Sequence, residues 1–397
     1  MNQLLNVEDL AIPNENGKYT ATEIAEQRDT WAKVLKKIHI NSNDLLYFLD
    51  KIFKKPDINV VLTGAGSSAY IGDVVSGGWS KNLSTPVRAV PTTDLVTHFD
   101  EYIVAENPLL LVSFARSGNS PESKAAIDIA NNKCSEVYHL IITCNSKGEL
   151  AKLNGRKNTL VFLLPPEAED HSLAMTNSFT SMALAATLIP KLLLEKGNID
   201  KQLETLSIYG DRIINNYAET LLEIARIDFK RIVFLGSGPL WGIAKESHLK
   251  VQELTNGDII GKFDSFLGFR HGPKAIINDQ TLLVYLLSND KQTNRYEKDL
   301  IEQIAQHDIN LKTLGIAEAA CPSPNIDYCI QLAEESALEE EFWAILCTLP
   351  AQIIGFYKSL LLGYNPDNPS LDGTISRVVE GVTIYDDNTK AQNTSSE

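Results

Sequence analysis

The segments VVLTGAGSSAYIGDV (60–74) and VFLGSGPLWGIAKES (233–247) share one grammar. Each is an unbroken apolar run, then a G-x-G turn, then a stretch of helical character. Gly64 and Gly236 stand 172 positions apart, and LLLVS (109–113) matches LVYLLS (283–288) at an offset of 175. A repeat that long is a duplicated domain, not a solenoid. Apolar strands alternating with helices indicate parallel sheets covered on both faces. HLIITC (139–144) and NTLVFLLP (158–165) extend the first set, INLKTLGI (309–316) and IDYCIQL (326–332) the second. The expected architecture is α/β: an arm and helix (1–45), a first domain (46–200), a second (201–363) and a tail (364–397).

Outward from these strands the reading is local. Thr20-Ala-Thr-Glu23 has the pattern of a capping box opening a helix over 23–37. Further helices are expected over 44–54 and 176–194. The helix after Gly238 begins at Pro239, where no N–H is needed, and stops near Gly257. Its core stripe is Leu240, Ile243, Ala244, Ser247, Val251 and Leu254. Glu246, Lys250 and Glu253 flank that stripe, a position from which a charge row can look into a cleft or form a solvated surface. The loop over 258–268 is rich in apolar residues and leads to His271. Two carboxylates, an ammonium and an imidazole suit proton transfer, although Glu246 and Lys250 are also an ordinary i,i+4 pair.

The chain has 397 residues, 36 Lys+Arg against 51 Asp+Glu and a net charge of −15. That balance disfavours nucleic acid and anionic membrane as partners while leaving room for a small anion in a pocket. Hydrophobic content of 44% is that of an ordinary globular protein. Five scattered cysteines without C-x-x-C argue against a disulfide framework or zinc site and for a reducing cytoplasm. The first residues carry no secretory pattern, and no uncharged apolar run approaches membrane-spanning length.

Helix N-termini after parallel strands offer free N–H groups to a phosphate. Gly66, Ser67 and Ser68 form one such end, Ser117 and Ser120 another. Gly64-Ala-Gly66 is not a dinucleotide fingerprint, since Ala69 stands where the third glycine would be, and no P-loop is present. The second domain has Ser288-Asn289-Asp290 in place of the serine turn.

Taken together, GAGSS (64–68), ARSGNS (115–120), LAMTNSFT (173–180), the E-x-x-x-K-x-x-E helix and RHGP (270–273) resemble the sugar isomerase (SIS) phosphosugar proteins. In layout the chain resembles the isomerase half of glucosamine-6-phosphate synthase. The tail N-P-x-x-x-G-x-x-x-R-V-V-x-G-V (368–382) is similar to the tagatose-6-phosphate ketose/aldose isomerase or galactosamine-6-phosphate deaminase family. The resemblance implies two tandem SIS domains, with phosphate held by Ser68, Arg116, Ser117 and Ser120 and sugar lined by Thr176. It further implies that Glu253 shuttles a proton between C1 and C2, that His271 opens the ring, and that Glu246 and Lys250 support them. Ala115, Arg270 and Glu380 depart from the synthase pattern, and no glutaminase domain is expected before the first repeat.

The expected activity is isomerising deamination of galactosamine 6-phosphate to tagatose 6-phosphate and ammonia, without metal or cofactor. A simple ketose/aldose isomerase and a non-catalytic phosphosugar regulator are the alternatives. A cytoplasmic homodimer with shared active sites completes the expectation.

Overall fold

The computed structural model describes Leu5 and residues 16–193, 198–307, 309–379 and 381–385. Three helices lead in: α1 (Lys18–Ala25), α2 (Gln27–Ile40) and α3 (Ser42–Phe53). The first domain follows as β1 (Asn59–Thr63), α4 (Ser67–Leu83), β2 (Val87–Ala89), α5 (Thr92–Tyr102), β3 (Leu109–Ala115), α6 (Pro121–Lys133), β4 (Val137–Thr143), β5 (Thr159–Leu163) and α7 (Asn177–Leu193). Helices α8 (Ile199–Asn216) and α9 (Ala218–Arg226) lead to the second: β6 (Arg231–Leu235), α10 (Pro239–Leu254), β7 (Ile260–Asp264), α11 (Phe266–Phe269), β8 (Thr281–Leu286), α12 (Lys291–Ala305), β9 (Lys312–Ala317), β10 (Tyr328–Gln331), α13 (Glu340–Leu346) and α14 (Thr348–Leu361).

Both sheets are parallel and have one topology. The first runs β2-β1-β3-β4-β5; the second, read in the same sense, runs β7-β6-β8-β9-β10. The duplication extends to backbone detail. Gly66 (φ 56°, ψ −131°) and Gly238 (φ 56°, ψ −128°) open α4 and α10 in the same conformation, one that a side chain would strain.

The strands read as unbroken apolar runs because both faces are covered. On one face of the first sheet Val60, Leu62, Leu110, Val112, Leu140 and Ile142 join a core shared by both domains. On the other, Val61, Leu109, Leu111 and Ile141 pack beneath α5 and α6. The shared core is built around α4, α7, α10 and α14. Gly242 lets α10 cross α4 closely, since a Cβ there would lie 2.7 Å from the Val74 backbone nitrogen. The apolar stretch Glu340–Leu361 is long enough to cross a membrane by length and composition, but 94% of its window is buried inside the protein.

Four expectations are corrected. Thr20 does not cap a helix: α1 begins earlier, and Thr20 donates through both its N–H and hydroxyl to Asp367 Oδ1, at 2.7 and 2.8 Å. The chain breaks at Glu26, so 23–37 is not one helix. The segment 258–268 is edge strand β7 and the start of α11, and it buries Ile259 and Phe266 within its own domain. Only Ile260 (58%) and Leu267 (50%) are prominently exposed there, so apolarity alone does not demand a partner. Finally, Cys321 and Cys329 form a disulfide, with Cα atoms 6.7 Å apart. Their contact depends on how β10 returns beside β9, which spacing alone does not reveal.

Candidate active site

At the carboxyl ends of β1 and β3, where the strand order reverses, lies a cavity of about 610 Å³. Such a switch point is where ligands of open parallel sheets bind. The walls include Gly66, Ser67, Ser68, Arg116, Ser117 and Ser120. The start of α4 and the turn before α6 therefore converge, and each brings helix N–H groups and hydroxyls. Ser120 Oγ is 2.6 Å from Ser123 Oγ, and Ser117 Oγ accepts the Asn119 N–H at 3.3 Å. If these hydroxyls hold a non-reacting phosphate, Ser117→Ala and Ser120→Ala each raise KM by about tenfold or more with kcat little changed. Steady-state kinetics check this; a fall in kcat at constant KM contradicts it.

Helix α10 enters from the second domain. Glu253 is the only carboxylate in the cavity wall among the described residues, and its side chain is 25% exposed. Lys250 Nζ donates to Glu253 Oε2 at 2.9 Å and stands 3.5 Å from Ser67 Oγ. Glu246 Oε1 lies 3.2 Å behind that ammonium, close enough for an ion pair but without hydrogen-bond geometry. Glu246 and Lys250 are fully buried, so the row runs from the interior to the cavity instead of along a cleft edge.

Burial pushes the Glu246 pKa up to about 7, with Lys250 opposing and Glu253 adding to the rise. Burial draws Lys250 down, but the two carboxylates outweigh it and leave its pKa raised. A raised carboxyl pKa stabilises the fold fully below the ordinary value near 4.5, and that stability is lost as pH climbs through about 7. Wild type should therefore lose stability relative to Glu246→Gln between pH 5 and 8, by on the order of 3 kcal/mol. Urea unfolding at both pH values measures it, and a gap that ignores pH refutes it.

Two expected residues lie elsewhere. Thr176 is fully buried and its hydroxyl donates to Asp170 Oδ1 at 3.0 Å, so Leu173 and Met175 supply that part of the wall instead. Asp170 also accepts the N–H groups of Asn177 and Ser178, fixing the start of α7. His271 sits on an exposed turn after α11, with its N–H on Gly268 O at 2.9 Å, and is absent from the cavity wall. Arg116 is buried, and it gives N–H groups to Ser172 O, Leu173 O and Arg377 O. Residues 373–379 of the tail close one side of the cavity, a place that the 368–382 motif does not by itself give. The R-V-V motif was its only signal, and Glu380 lies outside the described residues.

The loop after β8, the counterpart of the serine turn, spends its donors within the chain, although a cavity of about 560 Å³ opens beside it. Ser288 N donates to Glu297 Oε2 at 3.0 Å, Ser288 Oγ to Glu340 Oε1 at 2.6 Å and Asn289 N to Glu340 Oε2 at 2.9 Å. Burial pushes the Glu297 pKa up to about 8. Carboxylates of the chain thus occupy the donors that an anion would need. Among the described residues no group of three or more His, Cys, Asp or Glu is placed to hold a metal ion.

A SIS domain model matches residues 52–189. D-galactosamine-6-phosphate deaminase AgaS of Shewanella sp. (strain ANA-3) is 37% identical over 388 residues, covering 97% of this chain and 95% of that protein. The chain belongs to the AgaS group of SIS proteins. Its fold also matches tagatose-6-phosphate ketose/aldose isomerase from Escherichia coli, with a TM-score of 0.83 and 34% identity over 95% of this chain and 99% of that one. The C-terminal domain of glucosamine-fructose-6-phosphate aminotransferase from Francisella tularensis shares the fold at a TM-score of 0.74 and 18% identity, covering 90% of this chain and all of that one. The fold likeness extends over both sheets.

Proposed function

We propose that the protein is an isomerising deaminase of an amino-sugar 6-phosphate, galactosamine 6-phosphate giving tagatose 6-phosphate and ammonia. The observation carrying this reading is that Glu253, the only carboxylate in the wall among the described residues, shares its cavity with two serine-bearing turns. The phosphate docks on Ser68, Arg116, Ser117 and Ser120, which leaves C1 and C2 towards α10. His271 donates a proton as the ring opens. Glu253 removes the C2 proton while O1 regains the proton it lost on ring opening, and the proton then returns at C1 as the amine's electron pair forms the C2 ketimine. Water adds to that carbon, and the C–N bond breaks to leave ketose and ammonia. Lys250 holds the Glu253 carboxylate in place, and Glu246 balances the ammonium.

His271 is absent from the cavity of its own chain, so the reading includes a homodimer in which each subunit lends its histidine to the other. A cytoplasmic setting accompanies this metabolic role. The test is ammonia release by the purified chain from galactosamine 6-phosphate and from glucosamine 6-phosphate, with tagatose 6-phosphate as the product from the first. Interconversion of amine-free sugar phosphates without ammonia would establish a simple isomerase. Binding without turnover would establish a regulator.

A further inference from the structure

We propose that Arg377 is a positioning residue of the phosphate cradle and acts through Arg116. The inference rests on the phosphosugar reading of the cavity and adds a residue outside the serine turn.

After α14 the chain is pinned before it reaches the site. Gly17 N donates to Asn365 Oδ1 at 2.9 Å, Thr20 to Asp367, and Leu173 N to Asp367 O at 2.9 Å. The strand of tail that follows then lies along the cavity. Arg377 Nε donates to Asp170 O at 3.0 Å, Nη2 reaches the same carbonyl, and Nη2 stands 3.3 Å from Glu169 Oε1. That grip sets the place of the Arg377 carbonyl, which accepts Arg116 Nη2 at 2.7 Å.

Arg116 is thereby held from two sides. Its Nη1 gives to Ser172 O at 3.3 Å and Leu173 O at 2.9 Å, while Nη2 gives to the tail. A guanidinium has five N–H donors in a rigid fork. Three are committed to backbone carbonyls, and Nε and the second Nη2 proton remain for the cavity that Arg116 lines. An anion meeting a fork already fixed in place loses little of its binding to ordering the side chain. Arg116 precedes Ser117 directly, so the same grip sets the start of the serine turn. Arg377 need not touch the phosphate to raise affinity for it.

Coupling between two binding events is reciprocal. If the docked tail favours the anion, the anion must favour the docked tail. The bond after Arg377 is a trypsin site whose carbonyl is the one Arg116 holds, so protection there reports docking.

The full-length protein, Arg377→Ala and Arg377→Lys are compared. Arg377→Ala should raise both KM for the amino-sugar phosphate and the inhibition constant of inorganic phosphate by about tenfold, the factor for one charge-assisted hydrogen bond, with kcat little changed. Lysine keeps the charge but cannot grip both acceptors, so Arg377→Lys should move both constants the same way by a smaller factor. In wild type, inorganic phosphate should slow tryptic cleavage after Arg377, read by mass spectrometry. A melting temperature that falls while both constants stay put would assign Arg377 a merely structural role and overturn the proposal. So would a lysine variant identical to wild type, or cleavage indifferent to phosphate. Wild type failing to bind phosphate at all would instead overturn the phosphosugar reading itself, and this proposal with it.

Discussion

Glu253→Gln should lower turnover by about 10²–10⁴-fold and leave phosphosugar affinity within a few-fold. The substitution keeps the shape of the side chain and its place beside Lys250 while removing the basic oxygen. Glu253 is the only carboxylate in the wall among the described residues, and Glu246 is fully buried behind Lys250. No second base is therefore placed to take over. The affinity should survive because the proposed phosphate donors belong to the first domain. Exchange of the C2 hydrogen with deuterated solvent isolates the proton-transfer step from ammonia release. A variant exchanging at the wild-type rate would remove Glu253 from the role of base.

Mixing His271→Ala and Glu253→Gln subunits, each inactive alone, should restore up to about a quarter of wild-type activity. In a random mixture half of the dimers are hybrids, and each hybrid holds one site in which both residues are intact. The expectation follows from an exposed His271 outside the cavity that Glu253 faces. Exposure of Ile260 and Leu267 on the same stretch gives a neighbouring subunit some apolar surface to cover. If the histidine served its own chain, each mutant site would keep its lesion and the mixture would stay dead.

Much of this was legible in the sequence for a physical reason. Burial on both faces makes β1, β3, β6 and β8 near-continuous apolar runs, and the G-x-G turns announce the helices that follow β1 and β6. Two of the four edge strands, β2 and β7, were not legible. β2 is three residues long with Arg88 exposed, and β7 reads IGKFD, polar and glycine-broken. The serine turns lay in local motifs, and the structure brings both to one cavity. Which side chain of 173–180 faced the cavity could not, because Asp170 captures the hydroxyl of Thr176 and turns it inward. The tail's role was hidden for a simpler reason: Arg116 and Arg377 are 261 residues apart, and no periodicity links them. Thr20 likewise met a partner from the far end of the chain.

The occupied donors of the second domain change what an anion can do to the molecule. Glu297 and Glu340 take the donors of Ser288 and Asn289, so these are satisfied in every folded copy. Mass action stabilises only a site that can be empty, by about 2.7 kcal/mol at a hundredfold excess over Kd. A ligand of the first-domain cavity can therefore add stability that the loop after β8 already has without one. Because one core joins the two domains, that gain reaches both.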